Sequence, residues 1–323
     1  MPAQMLTLIT VDVELSPGFH ERHPDDLSTN IRSAYYGDRQ GRWGLRDQLQ
    51  TLQRHGLKAV FFVEALSPVV TGLGHLQDVC ALIGDYGHEI QLHTHPEWFS
   101  VGRDQSASLT KPMWMGDLSA PDQLEAIRAG LGNLEAAGVT NVVAHRAGAF
   151  GANRDTLSSC AQAGLRFDSS YNATMLGNPC ALNQDAEQTG PRQMEDIWEI
   201  PVSCFRQLGD RPRPLQLCAV SAAEMRQALL RLRSNGTPVA TIVSHSFELL
   251  TRNRERVQPV HVRRFEAMCE FLAKHSEQFV TAGFADLDPS VWQDYDWRAS
   301  PVRVDAGLTA LRYVGQAVGR LYE

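Results

Sequence analysis

The chain has 323 residues, of which 43% are hydrophobic and 21% are charged. This balance is typical of a globular protein and excludes a mainly disordered chain. Thirty basic and 37 acidic residues give a net charge of −7 with histidine neutral, which argues against a chain-wide nucleic-acid footprint because phosphate binding needs clustered Lys and Arg. No run of about 18 apolar residues occurs, so we expect no membrane-spanning helix.

The amino-terminal ten residues lack a basic region and continue directly into a strand pattern, so we expect no secretory signal. No two cysteines lie within ten residues of each other, which leaves no CxxC metal or redox motif. We interpret the cysteines as reduced core thiols and predict a cytoplasmic protein.

Short apolar runs alternate with helical patterns along most of the chain. Strands are predicted at 6–14, 57–63, 90–95, 141–145, 165–169, 197–204, 239–245 and 278–282. Helices are predicted at 44–55, 73–86, 119–137, 153–163, 221–234, 260–275 and 301–321. This alternation favours an α/β fold with a mainly parallel sheet or barrel. Two long segments, 16–43 and 172–196, are expected to be loops that bind a ligand or cover a site.

The first predicted strand ends in Thr10-Val11-Asp12-Val13-Glu14. Asp12 and Glu14 are two residues apart, so both carboxylates point to the same face of an extended chain. Two acids on one face of an apolar strand are costly unless they meet a metal, an arginine or a proton. An acidic loop start in water is the alternative.

The third predicted strand runs into His93-Thr94-His95-Pro96-Glu97-Trp98. His93 and His95 share one strand face, and a turn beginning at Pro96 would place Glu97 one helical turn after His93. Either arrangement gives two ligands to one cation. Imidazole nitrogen and carboxylate oxygen suit Zn²⁺, and also Co, Ni or Fe.

Three further polar residues follow apolar strands, where parallel α/β folds place their functional groups. Arg146 needs an acidic partner or a place at the mouth of a site, and Asp168 is its expected partner. A plain structural salt bridge is the alternative for this pair. His245 ends an apolar strand and is a candidate general acid.

The order of these motifs resembles the NodB-type polysaccharide deacetylases of carbohydrate esterase family 4. The motifs are the acid at Asp12, the H-T segment at His93, R-A-G-A-F from Arg146, F-D-S-S from Phe167, E-I-P-V-S from Glu199, and S-H at Ser244. The resemblance runs from Leu6 to Leu287. It implies a distorted (β/α) barrel of about seven parallel strands, with a catalytic domain at 1–287 and a packed helical extension at 288–323.

The family holds a divalent metal with one Asp and two His, and this chain departs from that pattern. The family's first motif has two adjacent aspartates, whereas this chain has Asp12 followed by Val13. Glu14 replaces the missing ligand, or Asp12 binds the metal itself. The second family histidine is Glu97 here, and His95 is an additional candidate ligand. The resemblance thus implies one bound cation, with zinc favoured, held by Glu14, His93 and His95, with Asp12 or Glu97 as alternatives.

The resemblance also implies roles for the remaining residues. Asp12 acts as base, Arg146 holds Asp12, Asp168 orients Arg146, and His245 protonates the leaving group. Aromatic faces stack on sugar rings, so the expected substrate contacts are Trp98, Phe150 and Tyr171; core packing is the alternative for these aromatic residues.

The reaction implied is removal of acetyl groups from N-acetylated sugars. Without a secretory signal, we expect a precursor of a surface polysaccharide as the partner molecule, such as a nucleotide- or lipid-linked sugar, and no nucleic acid. Three alternatives remain open: a hydrolase of a non-sugar linear or cyclic amide on the same fold, a non-catalytic carbohydrate-binding relative, and an unrelated α/β protein.

Overall fold

The structure is a computed structural model that describes residues 4–104, 112–182 and 187–319, with side chains described as far as residue 314. Its strands are β1 (Met5–Val13), β2 (Val60–Glu64), β3 (Glu89–Thr94), β4 (Ala144–Ala147), β5 (Phe167–Asp168), β6 (Arg192–Met194), β7 (Ile197–Glu199), β8 (Cys204–Arg206), β9 (Pro212–Pro214), β10 (Val239–His245) and β11 (Phe279–Thr281). Its α-helices are α1 (Pro17–Arg22), α2 (Leu27–Ile31), α3 (Leu45–Arg54), α4 (Pro68–Thr71), α5 (Leu73–Asp85), α6 (Pro96–Arg103), α7 (Ala120–Ala136), α8 (Arg154–Gln162), α9 (Ala222–Ser234), α10 (Pro259–Lys274) and α11 (Ala306–Gly319).

The main sheet has the strand order β10-β1-β2-β3-β4-β5-β7-β6, and β11 pairs with the start of β1. Every pairing in this sheet is parallel except that of β6 with β7. Seven strands therefore run parallel along the path from β10 to β7. After β7, Ser203 N donates to Thr241 O at 3.1 Å and Leu217 N donates to Val243 O at 2.9 Å, so this segment meets β10 and curls the sheet. The predicted distorted (β/α) barrel is confirmed.

The two sides of the sheet are set by the alternation of side chains along each strand. In β1, Ile9, Val11 and Val13 belong to the large core shared with the helices, whereas Leu8 belongs to a second cluster on the opposite, inner side. Thr10, Asp12 and Glu14 follow Leu8 in this alternation. The inner side is apolar at the start of the strands and polar at their carboxyl ends.

The predicted elements differ from the structure in several places, and segment 172–196, predicted as a loop, contains the short strand β6. Segment 16–43 is partly helical, with α1, α2 and a π-helical turn at Arg32–Tyr36. Helix α6 directly follows β3, because Pro96 occupies its first turn. The strand predicted at 197–204 is divided into β7 and β8.

Helix α11 packs on α9 through a buried ion pair. Arg312 Nε donates to Glu224 Oε1 at 3.0 Å, and both side chains are fully buried. The other Glu224 oxygen accepts bonds from Ser221 N and Oγ, each at 2.8 Å. This helix begins later than predicted, and residues 320–321 of the prediction lie outside the described residues. None of the helices within the described ranges combines the length and apolar character that a bilayer crossing needs.

Replacement of Arg312 by alanine should destabilise the protein by about 3–5 kcal/mol, because it leaves the Glu224 carboxylate buried without its cation. Denaturant unfolding of the full chain measures this. Arg303→Ala is the matched control, since its ion pair with Asp210 is exposed on both sides and should contribute about 0–1 kcal/mol. Equal losses in the two variants would contradict a buried anchor at Arg312.

Candidate active site

The polar residues of the inner side meet at the carboxyl ends of β1, β3, β4 and β10. Asp12 is the register partner of His245, and His93 is the register partner of Arg146. Parallel pairing brings these strand ends to the same edge of the sheet, which is where α/β folds bind their ligands.

Three of the predicted metal ligands converge on one point. The Glu14 Oε2 atom lies 2.8 Å from His93 Nε2 and 2.6 Å from His95 Nε2. Burial raises the pKa of Glu14, but the charge of His95 and the hydrogen bonds of both imidazoles outweigh it and bring the pKa well below its usual range. Burial lowers the pKa of His95, but the charges of Glu14 and Glu97 outweigh it and bring the pKa well above its usual range. The cluster is therefore a site where negative charge attracts a cation.

The contacts at the far side of each imidazole, a hydrogen bond for His93 and a carboxylate at 3.4 Å for His95, fit a bound metal. His93 Nδ1 donates to the carbonyl oxygen of Arg146 at 2.8 Å. His95 Nδ1 lies 3.4 Å from Glu97 Oε2. A carbonyl oxygen only accepts hydrogen bonds, so His93 donates through Nδ1, and in both rings Nε2 is the nitrogen that faces Glu14. Metal-binding histidines are oriented in this way.

The structure places the two alternative metal ligands, Glu97 and Asp12, away from the point where Glu14, His93 and His95 meet. Glu97 contacts the outer nitrogen of His95, in the place of an orienting group rather than a ligand. Asp12 is engaged by Arg146, which leaves Glu14 as the carboxylate at the two Nε2 atoms. Gly148 allows this packing, since a Cβ there would lie 2.7 Å from Cε1 of His95.

Asp12 and Arg146 form a buried ion pair. Arg146 Nη1 donates to Asp12 Oδ1 at 2.6 Å and to Thr10 Oγ1 at 2.9 Å. The other guanidinium nitrogens donate to the carbonyl oxygen and the hydroxyl of Ser169, and the ring of Phe62 lies 4.2 Å from Cζ. Asp12 Oδ2 is left facing His245 Nε2 at 3.8 Å, which is too long for a hydrogen bond and leaves both atoms available to a reacting group.

His245 is held by a residue that the sequence analysis missed. Its Nδ1 donates to Glu248 Oε1 at 2.8 Å. Burial lowers the pKa of His245, but the hydrogen bond and charge of Glu248, with the charges of Glu14 and Asp12, raise it to about 9. The sequence feature that could have identified Glu248 is its spacing, since it is an acid three residues after His245, in a turn that follows β10.

The predicted pair of Asp168 with Arg146 is wrong. Asp168 Oδ2 accepts a 2.7 Å hydrogen bond from His145 Nδ1, and Oδ1 accepts one from Ser170 N at 2.8 Å. His145 and Asp168 are register partners on the helix-facing side of the sheet, whereas Arg146 is on the inner side. Burial and the charge of Asp168 raise the pKa of the neighbouring Glu199 well above its usual range.

Two of the three predicted substrate-contacting aromatics lie in the core. Trp98 and Tyr171 are both fully buried in the helix-side cluster, so neither offers a face to a sugar in this structure. Phe150 packs against Val202 and Val243 and remains 7% exposed. Substrate contact by Phe150 stays a prediction.

No protein-family model and no curated protein sequence matches the chain. Among solved structures, it is similar to a Mycobacterium smegmatis protein assigned to the polysaccharide deacetylases, with a TM-score of 0.60, 17% identity, and coverage of 94% of this chain and 96% of that one. A family 4 carbohydrate esterase from Streptomyces lividans, solved with acetate, aligns with a TM-score of 0.47, 12% identity, and coverage of 93% and 99%.

A 4-alpha-glucanotransferase from Thermococcus litoralis aligns with a TM-score of 0.53 and 9% identity, over 88% of this chain and 40% of that one. The resemblance predicted from the motifs is thus confirmed at the level of the fold. The same fold also carries a glucanotransferase, so the reaction has to be argued from the side chains of the site.

Divalent metal binding is expected to need His93 and His95. Mass spectrometry of the purified wild type should detect one Zn²⁺ per chain, and either alanine variant should lose it. Glu97→Gln should retain the ion with about 10–100-fold weaker affinity in a zinc titration, the usual cost of removing an orienting partner. His55→Ala, at the end of α3 and away from the site, is the control. Full occupancy in His93→Ala would refute the ligand assignment.

Proposed function

We propose that the chain is a metal-dependent deacetylase that removes acetyl groups from an N-acetylated sugar. The observation that carries this proposal is the meeting of three groups at one sheet edge: the Glu14–His93–His95 cluster, the arginine-held carboxylate of Asp12, and the protonated imidazole of His245. A metal site, a base and an acid are the groups that amide hydrolysis needs.

The cation would be held by Glu14, His93 and His95, and when bound it polarises the acetyl carbonyl and lowers the pKa of a water. Zinc suits two imidazoles and one carboxylate, as do cobalt, nickel and iron. The proton transfers of the reaction are carried out by side chains of the protein.

Asp12 and His245 divide the proton transfers. Arg146 fixes Asp12 through Oδ1 and leaves Oδ2 to take a proton from the attacking water. His245 Nε2, across a 3.8 Å gap, gives a proton to the departing nitrogen. Glu248 holds the opposite ring nitrogen and keeps the imidazole charged until that transfer.

We further propose a cytoplasmic role in surface-polysaccharide biosynthesis, with an acetylated sugar or polysaccharide precursor as substrate. The fold similarity to polysaccharide deacetylases supports the sugar.

Acetate release from an N-acetylated sugar is expected to depend on Zn²⁺, Co²⁺ or Ni²⁺ and to stop on chelation. Asp12→Asn and His245→Ala should each lower kcat by about 10²–10⁴-fold, the contribution typical of a general base or acid. Thermal unfolding of both variants should show that they still fold. Unchanged turnover in both variants would refute this mechanism. Cleavage only of non-sugar amides would redirect the proposal to that substrate class.

The raised pKa of His245, about 9, predicts that the acid stays protonated at neutral pH and that kcat falls as the pH rises through that value. Glu248→Gln removes the negative charge that stabilises the imidazolium. The pKa should therefore fall towards about 6.5, and the alkaline limb of the kcat profile should move to lower pH. Glu266→Gln, at an exposed position on α10, should leave the limb in place. An unmoved limb in Glu248→Gln would exclude His245 as the acid.

A further inference from the structure

The loop that follows β10 places a second arginine beside the site. Arg254 stacks on Phe247, with Cζ 3.6 Å from the ring centroid, and the Phe247 ring lies 5.2 Å from that of His245. The Phe247 ring is thus in contact with both the guanidinium and the imidazole of the proposed acid. A cation over an aromatic face is held in place without losing its capacity to donate hydrogen bonds.

One nitrogen of this guanidinium has no acceptor. Arg254 Nη1 is shielded from solvent and has no hydrogen-bond partner among the residues that the structure describes. Burial lowers the pKa of Arg254, and the charge of Glu14 opposes this effect. A buried donor on a charged group costs more than an ordinary unmade hydrogen bond, so this position is unfavourable until an anion accepts from it.

The backbone at this position is also held in an uncommon conformation. Arg254 has φ +58°, in the left-handed region that favours glycine. Its N–H donates to Thr251 O at 2.7 Å, and its carbonyl accepts from Arg32 Nη1 at 3.4 Å. Strained residues that are fixed by their surroundings cluster at binding sites, and here the strain directs a long cationic side chain towards Phe247.

The charges around the site are otherwise matched. Asp12 is paired with Arg146, and Glu248 with His245. Glu14 is the anion that acts on Arg254, and it is also the carboxylate of the proposed metal cluster. A cation that takes up the charge of Glu14 would remove the one anion whose charge acts on Arg254 among the described residues.

We propose that Arg254 binds an acidic group of the substrate, a carboxylate or a phosphate, so that the enzyme acts on an anionic acetylated sugar. This inference rests on the proposed deacetylase function. A planar guanidinium donates hydrogen bonds to two oxygens of such a group at once, in a fork that lysine cannot reproduce. The acid would supply the acceptor that Nη1 lacks and balance the positive charge next to His245.

The test compares three sugars that differ in charge: N-acetylglucosamine, N-acetylglucosamine 1-phosphate and N-acetylmuramic acid. The wild type should release acetate from at least one acidic sugar with a kcat/KM about 10–100-fold above that of the neutral one, the range of a hydrogen bond to a charged group. Arg254→Gln should lose this preference. Comparison of the phosphate-bearing sugar with the carboxylate-bearing sugar shows which acidic group Arg254 prefers.

Arg252→Gln is the matched control, because Arg252 is exposed in the same loop and should leave the preference unchanged. Arg254→Lys retains the positive charge but cannot donate to two oxygens at once, so it should keep part of the preference. If Arg254→Gln does not fold, the lysine variant takes its place in the comparison. A preference that survives in Arg254→Gln, or a wild type without any preference, would overturn the proposal.

Binding of the same three sugars, measured by ligand-observed NMR on metal-free and zinc-loaded protein, separates this inference from the reaction. If no sugar releases acetate, the deacetylase function fails. Tighter binding of an acidic sugar that is lost in Arg254→Gln would still establish the anion site. Binding without preference for either acid over the neutral sugar would overturn it.

Discussion

The buried guanidinium of Arg146 is the constraint on which the site depends. A charge without exposure to water is tolerated only when its hydrogen bonds are made, and Arg146 makes them to Asp12, Thr10 and Ser169. Its own carbonyl accepts from His93 Nδ1. One residue therefore fixes the carboxylate of the proposed base through its side chain and orients a proposed metal ligand through its backbone.

The alternation of side chains explains which sequence predictions succeeded. Asp12 with Glu14, and His93 with His95, are pairs within single strands, and their common face follows from a period of two. The partner of Arg146 depends on the register between strands, which a single sequence does not contain. Asp168 is opposite His145, so it lies on the helix-facing side, and Ser169 is the neighbour that reaches Arg146.

The positions of side chains that depend on tertiary packing could not be predicted from the sequence either. Trp98 looked available for a sugar, yet segment 16–43 folds into helices, and His20 from α1 lies over it with ring centroids 5.5 Å apart. Glu248 and Arg254 lie in an irregular loop where no periodicity indicates direction. The helices and strands were predictable because their apolar patterns are long and regular, whereas the walls of the site depend on which loops cover it.

The change in the first motif follows from the same alternation. Val13 is buried in the helix-side core, so a carboxylate at that position would face apolar side chains and the sheet rather than the site. Glu14 is on the inner side, one residue further along, and its longer side chain reaches both Nε2 atoms. The cluster therefore retains one carboxylate and two imidazoles although the adjacent aspartate pair is absent. Asp12 is then left to Arg146 and His245, so the proposed base and the carboxylate of the proposed metal cluster are different residues two positions apart on one face of the strand.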